Sequence, residues 1–188
     1  DFEISLLQGM SFAIFYALFG IAIGWMVDHW ARRPIVFAGV TLWSLATAGC
    51  GLASQYWHLM LGRIGVATGE ASLAPAAYSM LSDIFPPRRL ALPMSVMGSG
   101  APLGGAFALI LGGFVLGMVP AGGVDLPIVG TLVGWQVAFV VVGLPGLLLA
   151  PLIFTVPDIR RVPMRSDGQG QTIGMTLRRL MTSRRFYA

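Results

Sequence analysis

Arg63 and Glu70 are the two ionisable residues inside the otherwise uncharged run from Leu59 to Ser82. A charge at the centre of an apolar span costs about 2.5–3.5 kcal/mol on insertion scales, so a pair kept there is a functional candidate by default. Seven residues are two helical turns, which puts both side chains on one face about 10 Å apart along the axis. Helical side chains lean toward the N-terminus, so Glu70 reaches toward Arg63 while Arg63 leans away, and water or a group from another helix is needed to bridge them. The shared face continues through Ala67, Ala74 and Ala77, small residues that leave room for a polar cavity. Pro75 lacks the N–H that would bond the Ala71 carbonyl and predicts a helix bend just after Glu70. A freed carbonyl in a bilayer is tolerated where it is buried in protein or lines water. The chemistry on offer is a competition. Burial favours the neutral Glu70 carboxyl and the guanidinium favours the carboxylate, while an anion competes for the same planar fork. Glu70 is the candidate proton-coupling group and Arg63 the candidate for holding an anionic substrate. The other use of such a pair is a static contact that fixes helix packing.

A second constellation, GWMVDHWARR from Gly24 to Arg33, sets one acid and two arginines between uncharged runs at Leu6–Val27 and Pro34–Trp57. Asp28 falls at the end of its helix, where the dipole is unfavourable for a carboxylate, and needs cationic partners. Arg32 and Arg33, with Arg88 or Arg89 from the next basic connector, are the candidates, and Gly24 one turn back leaves room for another helix. Gly24, Asp28, Arg32 and Arg33 therefore read as a cytoplasmic gate. The bland reading is solvated charge that signals topology.

Five apolar spans must carry these residues: Leu6–Val27, Pro34–Ala53, Leu59–Ser82, Leu92–Leu116 and Val133–Val156. Each matches the ~20 residues that a helix needs to cross a bilayer. With a mean hydropathy of +0.78, 56% hydrophobic residues and only 11% charged ones, the 188-residue chain cannot be wrapped in a polar skin. The fold class is all-α, a polytopic membrane bundle of five helices. Eleven of the twelve arginines fall in the connectors 28–33, 83–89 and 158–185, and none in 54–58 or 117–132. By the positive-inside rule the arginine side is cytoplasmic, so the first span runs inward and the last ends inside.

The lipid bilayer is the first partner. The net charge of +4 does not point to nucleic acid, because the arginines sit in short loops beside apolar spans. His29 and His58 fall on opposite sides and Cys50 stands alone in an apolar run, so no metal or nucleophile cluster converges and no disulfide framework exists. The glycine-rich stretches lack the Lys and strand-to-helix setting of a nucleotide loop. No enzyme activity and no cofactor are expected; work would draw on a gradient. Small-xxx-small pairs at Gly20/Gly24, Gly65/Gly69, Gly100/Gly104 and Gly113/Gly117 predict close helix contacts. Phe12, Phe15, Tyr16 and Phe19 share one broad face, read as core or lipid contact.

Asp1 in place of Met, no signal peptide and a first span that starts outside suggest a piece of something longer. Residues 1–157 read as an incomplete transmembrane bundle. Residues 158–188 read as a basic cytoplasmic linker, ending in an amphipathic stretch, QTIGMTLRRLMTSRRFYA.

The spacing Gly24, Asp28, His29, Arg32, Arg33 between two spans resembles the loop signature of the major facilitator superfamily, usually found between its second and third helices. That family commonly has Arg where His29 stands and Gly where Ala31 stands. LLQGMSFAIFYALFGIAIG, GEASLAPAAYSMLSDIFPPRR and WQVAFVVVGLPGLLLAP are similar to the Spinster-like branch at helices two, four and six. The segment from Gly98 to Gly113 resembles the fifth-helix glycine and proline pattern of antiporters, with different spacing. The resemblance implies a partial major facilitator fold, helices two to six of the N-terminal half. The first helix and the C-terminal bundle would then be the missing partners. It also implies that Arg63 and Glu70 take part in proton coupling and substrate binding, with an acid on the first helix. The expected function is a fragment of a proton-coupled secondary active transporter, in a bacterial inner membrane, moving an amphipathic or anionic small molecule or lysolipid by alternating access. The alternatives are an organic-anion or sugar-acid carrier of a neighbouring branch, or a nontransporting membrane scaffold or sensor.

Overall fold

The computed structural model describes residues 9–120, 122–127 and 130–157; the basic linker expected over 158–188 lies outside them. Six helical segments build five rods: α1 (Ser11–His29), α2 (Arg32–Cys50), α3 (Tyr56–Glu70) with α4 (Leu73–Ile84), α5 (Ala91–Met118) and α6 (Gly134–Leu149). Short 3-10 turns at Pro87–Arg89 and Ala150–Thr155 follow α4 and α6. Three segments, α1, α5 and α6 with its 3-10 extension, are long and apolar enough by themselves to cross a membrane. The second rod opens on two arginines, and the third is divided into α3 and α4, each too short alone.

That division sharpens the bend expected at Pro75. Ala71 and Ser72 keep right-handed helical dihedrals, but Ser72 N–H bonds Gly69 O in an i−3 pattern at 3.2 Å. The Ser72 hydroxyl donates to the same carbonyl at 2.7 Å, and Pro75 has no N–H to offer Ala71. Other hydroxyls also bond their own helix, Thr47 to Trp43 O and Thr68 to Ile64 O, so little polar surface is left for lipid. The arginine-free connector over 117–132 contains an antiparallel hairpin, β1 (Val124–Leu126) and β2 (Gly130–Leu132), with Asp125 opposite Thr131.

At the centre is α2, packed on α3, α4, α6 and the last 3-10 turn; α1 lies mainly on α3, and α5 mainly on α6. The α2 seams are backbone-close. A side chain at Gly69 would meet Gly39 O at 2.6 Å, and one at Gly143 would meet Ala48 N at 2.6 Å. Of the four small-xxx-small pairs, Gly65/Gly69 is used this way. Gly20, Gly24, Gly100, Gly104, Gly113 and Gly117 have nothing within 4 Å among the described residues. Such pairs mark where a backbone fits, not which partner comes. An apolar core of Val27, Ile35, Val36 and Ala76 closes the arginine-bearing end of α1, α2 and α4. By contrast α5 buries no residue, and exposes Leu103, Phe107, Ile110 and Phe114, a surface suited to lipid.

Candidate functional site

The shared face of Arg63, Ala67 and Glu70 lies about 130° around α3 from the Gly62, Gly65 and Gly69 seam that meets α2. It therefore borders α1. Arg63 is half-buried, with its guanidinium carbon 5.0 Å from the centroid of the Phe12 ring, a cation–π placement. Phe12 stacks on Tyr16 at 5.8 Å, so the aromatic face of α1, read from sequence as core or lipid contact, forms the floor beneath the guanidinium. Glu70, at the last residue of α3, is exposed, and Arg63 and Glu70 form no ion pair. Ala67 between them is fully buried. Pro75 falls in the first turn of α4, directly beyond the interruption that ends the α3 face at Glu70.

The second constellation is mostly helix. Gly24–His29 are the last turns of α1, Trp30 and Ala31 are the whole connection, and Arg32 and Arg33 open α2. Trp30 N–H bonds Met26 O at 2.8 Å, and His29 Nδ1 lies 2.8 Å from Trp25 O while its ring stacks on the Trp25 indole at 4.5 Å. The acids and bases all sit at the wrong dipole ends: Asp28 and Asp83 in last turns, Arg32 and Arg33 in a first turn. Pairing across helices relieves this. Arg32 is buried and donates through Nη1 to Asp83 Oδ2 at 2.6 Å, with side-chain exposures of 8% and 16%.

Arg32 thus takes Asp83 rather than Asp28, which corrects the expected pairing. Asp28 is exposed and has no ion pair among the described residues. Arg33 is half-buried with its Nε enclosed and unpartnered, and Arg88 and Arg89 are exposed on their 3-10 turn. Gly24 faces open space, not a neighbouring helix. Asp83 was missed from sequence as the partner of Arg32; its signal was an acid in the last turn of a helix beside a basic connector. Gln136 was missed as well. It opens α6, accepts from Val133 N–H at 3.1 Å and donates to Ala53 O at 3.1 Å, tying α6 to the α2–α3 connection.

Five helical rods, with Arg63 and Glu70 on the third and the Arg32–Asp83 ion pair joining the second to the third, are the arrangement to set against known membrane bundles. The sequence profile of the Major Facilitator Superfamily matches residues 1–186, and the chain belongs to that superfamily. Within it the likeness is to the Spinster-like branch. A crystal structure of a bacterial homolog to the human lysosomal transporter Spinster, inward-facing and occupied, superposes with a TM-score of 0.74 and 34% identity. That match covers 87% of this chain and 38% of the other. An MFS-type efflux pump of Mycolicibacterium smegmatis is 32% identical over 86% of this chain and 34% of its own length. A hexuronate transporter of Bacillus subtilis is 31% identical over 77% of this chain and 31% of its own. The chain thus spans about a third of the curated relatives it matches. Its relatives are membrane transporters.

Proposed function

We propose that the chain supplies helices two to six of a proton-coupled secondary active transporter, Spinster-like, that moves an amphipathic or anionic small molecule or lysolipid by alternating access. One observation carries the reading: Arg63 and Glu70 share a face of α3 beside α1, unpaired with each other, immediately before the kink. Two opposite charges that do not neutralise one another are each available, Glu70 to a proton and Arg63 to a phosphate or carboxylate. Protonating Glu70 removes a competitor for the guanidinium, so proton and cargo would be linked through one side chain. The Phe12 ring beneath Arg63 adds an apolar surface for an acyl or aryl portion of the cargo.

The Arg32–Asp83 pair anchors α2 to α4 at the cytoplasmic end, while Gly24 and Asp28 are presented outward, toward the parts of such carriers that lie beyond this chain. In this reading Asp28 closes the gate against a cation there. The test is Glu70→Gln in the carrier reconstituted into liposomes. Uptake should lose its pH dependence while cargo binding stays measurable; intact proton coupling in that variant overturns the proposal.

A second reading, a sugar-acid or organic-anion carrier, draws on the likeness to the hexuronate transporter. Competition separates the two: lysolipids displace bound cargo in the first case, small hexuronates in the second. Absence of flux for both, with the fold intact, would favour a scaffold or sensor.

A further inference from the structure

Once Arg32 is spent on Asp83, the arginine-bearing end keeps three cations with no carboxylate partner among the described residues: Arg33, Arg88 and Arg89. Successive helical residues point about 100° apart, so with Arg32 turned inward Arg33 is directed aside. Its Nε is enclosed without an acceptor, a costly state for a charged donor. Arg88 and Arg89 ride on a turn whose backbone is fixed by Arg89 N–H to Pro86 O at 2.8 Å. The Arg32–Asp83 contact holds the start of α2 against the end of α4, so the segments that carry the three arginines meet at one rim of the bundle.

The depth of this rim identifies its partner. Leu92, 73% exposed in the first turn of α5, follows Arg89 at the end of the 3-10 turn by only three residues, a chain reach of about 10 Å at most, so lipid-facing side chains begin close beside the arginines. Trp30 and Phe85, exposed by 60% and 36%, lie on the links beside the arginines, as aromatic anchors do at a headgroup boundary. Guanidinium forks next to exposed indole and lipid-facing leucine suit a phosphate that arrives on an acyl chain better than one free in water.

We infer that Arg33, Arg88 and Arg89 form a binding site for the phosphate of an anionic phospholipid. The site needs a bilayer but not transport, so it stands or falls apart from the proposal above. Tryptophan quenching tests it, with the protein in phosphatidylcholine vesicles containing about 20 mol% of either brominated phosphatidylglycerol or brominated phosphatidylcholine. The Trp30 signal is taken as the difference from Trp30→Phe. Phosphatidylglycerol should quench it at least ~3-fold more than phosphatidylcholine, in line with the pull of basic residues on anionic lipid. The excess should vanish in R88Q/R89Q, whose exposed positions leave the fold intact by circular dichroism. Equal quenching by the two lipids overturns the inference, as does an excess that survives R88Q/R89Q. Displacement by inorganic phosphate at constant ionic strength assigns the site to a free anion and overturns the lipid assignment.

Discussion

Glycines of the α3–α2–α6 block and glycines of α1 and α5 read alike in the chain and meet opposite surroundings in the fold. Within the block, Gly39, Gly51, Gly62, Gly65, Gly69, Gly143 and Gly146 lie against a neighbouring backbone or side chain where a Cβ would collide, and Gly49 on α2 is the exception, with nothing within 4 Å among the described residues. On α1 and α5, Gly20, Gly24, Gly98, Gly104, Gly105, Gly112 and Gly113 meet nothing within 4 Å among the described residues. In lipid there is no hydrophobic drive between helices, so tight van der Waals contact has to hold them. The difference separates helices whose glycine seams are filled by one another from two helices whose small-residue faces meet no described residue. Arg63 and Glu70 lie where the two regions meet, on a block helix but facing α1.

The contrast can be broken most forcefully at the gate end of the block. Arg32→Gln removes the buried guanidinium that holds the Asp83 carboxylate and should cost about 3–5 kcal/mol, seen as a lower melting temperature in detergent. Asp83→Asn in the same chain should restore much of that loss; no recovery would mean that the ion pair is not what holds α2 to α4. The glycines come next. Gly69→Ala should destabilise by about 1–3 kcal/mol through overpacking, while Gly104→Ala on α5 should be neutral or stabilising by up to ~1 kcal/mol from helix propensity. Equal shifts in the two melting temperatures would erase the distinction between block and flank. The smallest effect is expected at Gln136→Leu, which removes the tie to Ala53 O and should lower stability by about 1 kcal/mol. Hydrogen exchange at the α2–α3 connection should speed up in that variant and stay unchanged over α5.

Five rods were legible because they rest on local rules, the length of an apolar run and the charged connectors between runs, and the 100° step between residues was enough to put Arg63, Ala67 and Glu70 on one face. The loop signature was legible as a cluster but not as a set of partners. Arg32 lies 51 residues from Asp83, and nothing in the spacing distinguishes that acid from the nearby Asp28. The glycine pairs failed as predictors of contact in three of four cases for the same reason, since a notch is a property of one helix and a contact of two. The hairpin over 124–132 was hidden in a connector rich in Gly and Pro, where the short alternation of Val124, Asp125 and Leu126 is too brief to register. Pro75 marked the place where the third rod is interrupted, but the bond from the Ser72 hydroxyl to Gly69 O at that interruption needed coordinates.

The kink also gives the third rod mechanical leverage. From Ser72 to Asp83 the arm is eleven residues, or roughly 16 Å, so a swing of only about 10° at the elbow carries the carboxylate some ~3 Å sideways. That is enough to unseat it from Arg32, which holds it at 2.6 Å. A small angular adjustment beside Glu70 would thereby be amplified into the making or breaking of the Arg32–Asp83 contact at the far end of α4.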